Sequence, residues 1–241
     1  MTAIILAAGV GKRLLGHTGG RPKCLLEIGG KSLLARLLAG LGAAGVREAT
    51  IVVGFGEEHV RAALGAEHGG VRVRYVSNPR YREGAILSLW CARELLDRPV
   101  LIMDADVLCP VSMILQLVQA PATNCFLMDA SSPNTGEEQM LLVRDGLVHD
   151  IVRGGAPGYE LMGESIGFLK LGATAATLLR TLLAARLEQG REDIEHEEAY
   201  PDLLKRVPVG FVRVDGMPWI EIDFVEDIAR AERDVLPRCA S

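Results

Sequence analysis

Along the first half of the chain, short apolar runs alternate with longer stretches whose apolar residues recur at helical spacing. Residues 3–6, 49–53, 71–75 and 100–103 read as strands, the first, second and fourth apolar enough to be buried. Between them, 33–44, 57–64 and 86–96 carry apolar positions three and four apart and predict helices. Such alternation implies right-handed crossovers and a largely parallel sheet, with ligands bound beyond the C-terminal ends of its strands. The 7–13 loop and the 104–106 segment both fall at such ends. The second half changes character. Residues 124–128, 139–143, 146–151 and 166–170 predict strands, with Asp145-Gly146 a turn between two of them. Helical patterns follow at 174–189 and 195–206, then a strand at 210–214, an alternating segment at 218–224 and a last helix from about 225 to 234. No linker or internal repeat divides the chain. The expectation is one domain over 1–241, made of a half at about 1–123, a β-rich insertion at about 124–218 and a closing strand and helix at 219–241.

Composition narrows the function classes. A chain of 241 residues with 49% hydrophobic content buries a full core and is not disordered. A net charge of −5 argues against nucleic acid as the main partner. Acidic residues gather in 188–202, read here as a solvated helix face. No basic leader or cleavage site precedes the first strand, and the 32–46 stretch is too short for a bilayer, so a cytoplasmic protein is expected. Five cysteines without a C-x-x-C pair suggest free thiols rather than a zinc site. His196-Glu197 begins no H-E-x-x-H motif, and His196 reads as a surface helix residue. Trp90 lies on the apolar side of its helix and reads as core.

The chemistry is concentrated at residues 3–31, AIILAAGVGKRLLGHTGGRPKCLLEIGGK. Small residues and glycines after a buried strand (Leu6, Ala7, Ala8, Gly9, Gly11) let backbone N–H groups approach an anion. Lys12, Arg13 and Lys23 supply countercharge to a polyphosphate. Leu14 stands where a dinucleotide fingerprint needs its third glycine. Leu6 and Arg13 stand where a Walker A loop needs glycine and Ser/Thr. The remaining pattern, L-A-A-G-x-G-x-R with R-P-K-x-L-L-x-I-x-G-K, resembles the opening of nucleotidyltransferases that join NTPs to phosphorylated sugars and alcohols.

Two acidic pairs point to a metal. Asp104 and Asp106 alternate at a strand end, so both carboxylates can face one side. Glu221 and Asp223 repeat the spacing in W-I-E-I-D, which resembles a C-terminal segment of cytidylyltransferases acting on phosphocholine and related phosphorylated alcohols. Carboxylates beside a triphosphate repel it unless a hard cation, Mg²⁺ first of all, reverses the sign. The resemblance implies Asp106 and Asp223 as metal ligands, with Glu221 direct or through water. Glu226 and Asp227 read as first-turn residues of the last helix. Residues 78–91, NPRYREGAILSLWC, resemble the segment that flanks the nucleotide base in these enzymes.

The resemblance implies a Rossmann-like (GT-A-like) three-layer α/β/α sandwich with a mostly parallel mixed sheet. It assigns Lys23 and Arg13 to catalysis, with Lys23 on the α-phosphate. The nucleotide would be held by Leu6, Ala7, Ala8, Gly9, Gly11, Lys12, Arg13, Lys23, Gly84, Ser88 and Asp104. The acceptor would meet Tyr81, Glu164, Glu198 and Trp219. The implied reaction transfers CMP from CTP to a small phosphorylated alcohol or phosphonate, with Mg²⁺ as cofactor and pyrophosphate released. A sugar-1-phosphate or molybdopterin-type enzyme using another NTP is the alternative, and a nucleotide sensor without turnover the remoter one. With only 5% aromatic residues, an aromatic cage for choline is not apparent. Expected partners are the NTP and the acceptor, with no nucleic acid or membrane insertion and a homodimer left open.

Overall fold

The computed structural model describes residues 1–239. Strand Thr2–Ala7 lies at the centre of a ten-stranded sheet, flanked in parallel by Glu48–Val53 and Val100–Asp104. Val71–Ser77 continues the parallel part outside Glu48–Val53. On the other side the sheet turns antiparallel through the long strand Leu161–Leu171. That strand also pairs with Gln139–Arg144, and the latter with Leu147–Arg153. Cys125–Asp129 joins Leu161–Leu171 and pairs in parallel with Gly210–Arg213.

The central strand shows why three layers form. Ala3, Ile5 and Ala7 pack on one face, with helices Leu33–Ala43, Glu57–Leu64 and Val111–Gln119. Ile4 and Ala8 pack on the other, with Ala85–Cys91 and Ala173–Glu188. Strand alternation therefore sends consecutive residues into two separate cores, which is why the sequence reads as a continuous apolar run. Trp90 packs half-buried against the second core.

Several boundaries differ from the sequence expectation. The helix Val111–Gln119, with Met113, Ile114 and Leu117 on its buried face, was not among the expected elements. The 86–96 helix ends at Cys91 and continues as a 3-10 turn at Arg93–Leu95. The 195–206 helix is a 3-10 turn, His196–Ala199, followed by Tyr200–Leu204. At 218–224 only Ile220–Glu221 is strand, pairing with Val107–Leu108. The last helix begins at Val225 and runs through a π turn at Ala231–Val235 to Cys239. Its apolar face packs with Leu14, Ile28, Leu33 and Leu108 in a third cluster, so the C-terminal segment is clamped beside the 9–13 loop. All five cysteines are free. Among the described residues no helix is long and apolar enough to cross a membrane.

Candidate active site

Lys23 is the hub of the cleft. It opens a 3-10 turn, Lys23–Leu25, directly after Pro22, whose fixed backbone suits the position before a helix. Its Nζ donates to Asp106 Oδ2 at 2.8 Å and to Asp223 Oδ1 at 2.6 Å. Burial alone would lower the Lys23 pKa, but the two carboxylates outweigh it and hold the ammonium well above its ordinary range. Gly11 lies over the stem of Lys23 with φ +60°, and a Cβ there would come 2.9 Å from Lys23 Cβ. Glycine thus serves both the left-handed turn and the close approach.

Backbone pairing brings the two acidic segments together. Glu221 stands opposite Val107, and the Ile222 N–H donates to the Asp106 carbonyl at 3.1 Å. Asp227, in the first turn of the last helix, accepts from the Asp223 and Phe224 N–H groups at 3.0 and 2.8 Å. Asp227 therefore caps the helix and fixes the Asp223 backbone at once. Asp106, Glu221 and Asp223 each bring a carboxylate oxygen within 4.8 Å of the others. Asp106 Oδ1 is buried and has no hydrogen-bond partner. Enclosure in the cleft, and then the charges of Asp106 and Asp223, push the Glu221 carboxyl well above the usual carboxylate range. An all-oxygen set with an orphaned buried lone pair fits a hard divalent cation such as Mg²⁺.

Three cavities that share lining residues surround this hub. One of about 310 Å³ is lined by Gly11, Lys12, Arg13, Lys23, Tyr81 and Arg82. A second, of about 410 Å³, holds Leu6, Ala8, Gly9, Gly84, Ser88 and Asp104. Asn78 Nδ2 donates to Ser88 Oγ at 3.0 Å and sets that hydroxyl. A third, of about 700 Å³, carries Glu164, Glu137, Glu138 and Arg153 opposite Asp106 and Glu221. Ala7 joins Lys23 and Asp106 in a smaller recess. Basic residues thus line one end of the cleft and acids the other.

The model of the MobA-like NTP transferase domain matches residues 3–199. The chain belongs to that family. The nucleotidyltransferase domain is 38% identical over 120 residues to the CMP-5'-(3-aminopropyl)phosphonate synthase of Streptomyces rubellomurinus, covering 49% of this chain and 19% of that protein. It therefore spans about a fifth of that relative's length. It is 27% identical over 229 residues to the 2-aminoethylphosphonate cytidylyltransferase of Lancefieldella rimae, covering 94% of this chain and 90% of that one. The solved CTP:phosphocholine cytidylyltransferase of Streptococcus pneumoniae has the same fold, with a TM-score of 0.77, 24% identity, and 96% and 97% of the two chains covered.

Not every predicted site residue of the transferase domain reaches the cleft. Glu198 accepts from Arg191 and from the Glu195 backbone N–H, completing a capping box on the surface. Trp219 packs half-buried against the core, and its Nε1 donates to Asp129 Oδ2 at 2.8 Å. Tyr81 lines the basic end and also the second cavity beside Glu195, Glu197 and Glu221, but not the third. Three residues passed over in the sequence do line the cleft: Glu195, His196 and Glu197. His196 is buried, so the surface-helix expectation is corrected, whereas the acids Glu188, Asp193, Glu195 and Glu198 of this stretch are exposed and Glu197 is half-buried. The reason lies in Gly84. Its missing side chain leaves room for the Glu192 carbonyl, and the Ile86 N–H bonds Ile194 O at 3.2 Å, which draws the following turn inward. Arg82 and Phe224 were likewise unread, and Arg13 stacks over the Phe224 ring at 4.6 Å.

Proposed function

We propose that this domain is a Mg²⁺-dependent cytidylyltransferase that joins the CMP part of CTP to a small phosphonate or phosphorylated alcohol and releases pyrophosphate. The observation that carries the reading is Lys23 held between Asp106 and Asp223 beneath the 9–13 loop. A cation and an acidic pair meet where a triphosphate would bring its α-phosphorus, at the C-terminal ends of parallel strands. The phosphonate and cytidylyl chemistry named for the relatives supports the choice of CTP.

In this mechanism an ionised acceptor oxygen attacks the α-phosphorus, and the bond to the β-phosphate oxygen breaks. No protein nucleophile is needed, and catalysis is positioning with charge stabilisation. Lys23 turns from its carboxylates to the α-phosphate and stabilises the charge gained there. Lys12, Arg13, Arg82 and the loop N–H groups hold the departing β- and γ-phosphates. Asp106 and Asp223, with Glu221, would hold Mg²⁺, which when bound neutralises phosphate charge as a Lewis acid.

The acceptor end favours a cationic head. Glu137, Glu138, Glu164, Glu195 and Glu197 line the third cavity against Arg13 and Arg153, and Phe224 is its one aromatic lining residue. Carboxylates that accept hydrogen bonds suit a primary ammonium, whereas a quaternary one calls for an aromatic cage. Aminoalkylphosphonates combine that head with an anionic nucleophile.

The test is pyrophosphate release with Mg²⁺ and each NTP against aminoalkylphosphonates, phosphocholine, phosphorylated polyols and sugar 1-phosphates. Release with CTP and an aminoalkylphosphonate is expected. Turnover confined to another NTP with a sugar 1-phosphate would overturn the reading.

A further inference from the structure

A second set of donors converges in the cleft, apart from the all-oxygen one. Asp104, His196 and Glu197 each bring one ligand atom within 4.8 Å of the others. His196 is only 4% exposed. Its Nδ1 lies 3.0 Å from Glu197 Oε2 yet has no hydrogen-bond partner, because the two atoms do not meet in hydrogen-bond geometry. Its Nε2, on the opposite edge of the ring, lies 3.9 Å from Asp104 Oδ1, so one of the two nitrogens, not both, would face an ion shared with the carboxylates. A separation near 3 Å is what two donors show when each sits about 2.1 Å from one ion at right angles. Burying an imidazole nitrogen unpaired is costly unless something fills the place.

Charge gives the same answer independently. Asp104, Asp106, Glu195, Glu197 and Glu221 share one cavity. Lys23 is committed to Asp106 and Asp223. A triphosphate and an acceptor add further negative charge, and one Mg²⁺ offsets little of it. Behind His196, Tyr200 packs edge-on at 5.6 Å and itself stacks on Phe126, which fixes the imidazole's direction.

We propose that Asp104, His196 and Glu197 form a second divalent-cation site in the cleft, suited to an ion that accepts imidazole, Mn²⁺ or Zn²⁺, over Mg²⁺. Nitrogen in the donor set is the basis of that selectivity, since Mg²⁺ prefers oxygen alone. The ion would brace the His196–Ala199 turn and neutralise the acidic wall next to the nucleoside half of the cleft. The site does not depend on which NTP or acceptor the enzyme uses.

The experiment is Mn²⁺ titration of the full, nucleotide-free chain by electron paramagnetic resonance, with electron spin echo modulation to detect nitrogen bonded to the metal. Wild type is expected to bind Mn²⁺ with ¹⁴N modulation, to keep it against excess Mg²⁺ and to yield it to Zn²⁺. His196→Ala should abolish the ¹⁴N signal and weaken binding by more than about tenfold, the smaller effect of losing even an outer partner. Glu197→Gln should weaken binding comparably and serves if His196→Ala fails to fold. Mn²⁺ bound without ¹⁴N modulation, or binding unchanged in a folded variant, would overturn the proposal and leave the pocket to an ammonium group of the acceptor. Activity is not read, so failure here is separate from failure of the cytidylyltransferase reading.

Discussion

Lys23 Nζ and Asp223 Oδ1 lie 2.6 Å apart although 200 residues separate them in the chain. The same ammonium holds Asp106, so without nucleotide Lys23 occupies the carboxylates that would hold the metal. In the proposed mechanism metal binding and the catalytic position of Lys23 are thereby coupled, because a triphosphate would have to draw the ammonium away before both carboxylates are free.

Lys23→Ala should therefore separate two properties that usually fall together. Turnover should drop by about 10²–10³-fold, as for loss of a group that stabilises charge in the transition state. Mn²⁺ affinity of the nucleotide-free protein should rise, because Asp106 and Asp223 lose their competitor. Steady-state kinetics and metal titration of the same preparation check both. A fall in metal affinity would show that the lysine assists the metal site instead of blocking it.

Phe224 is half exposed, yet its ring carries the Arg13 guanidinium. An exposed cation–π contact contributes about 0.5–1 kcal/mol. Phe224→Leu should raise the KM for the NTP about two- to fivefold with kcat preserved, and Phe224→Tyr should restore it. A change in kcat alone would mean that Phe224 acts on the acceptor.

Gly167 sits at φ +74° where the long strand shifts register, and a Cβ there would run into the Asp104 carboxylate. Gly167→Ala should destabilise the fold by about 1–3 kcal/mol. For a chain of this size that lowers Tm by about 2–4 °C per kcal/mol, readable by calorimetry. An unchanged Tm with altered nucleotide affinity would place the effect on Asp104 alone.

Burial, and then the charges of Glu138 and Asp129, raise the Glu164 pKa despite a hydrogen bond from Ser132. A carboxyl raised in the folded state binds more protons there than when unfolded. Its contribution to stability is greatest below the unfolded value of 4.5 and is lost as pH rises through the folded one. Glu164→Gln should flatten that part of the Tm–pH curve and be more stable at neutral pH, while raising the KM of an amino-bearing acceptor. Identical curves for the two proteins would exclude Glu164 as the source.

The local signals lay in the sequence itself. The apolar run and glycines at 3–11 fix a buried strand and an open turn. The paired acids at 104, 106, 221 and 223 announce a cation, because each depends on neighbours within a few residues. What the tertiary structure decided are relationships that local pattern does not encode. Glu195 and Glu197 differ from Glu198 only in which way a short turn faces, and that is set by the space left at Gly84 on a distant helix. Trp219 looks like a cleft residue beside Glu221, but its indole N–H finds the buried Asp129 and the ring packs half-buried against the core. The burial of His196 and its unpaired nitrogen were decided the same way, since both are properties of packing. The sequence determined which chemistry is present, and the packing determined which side chains meet.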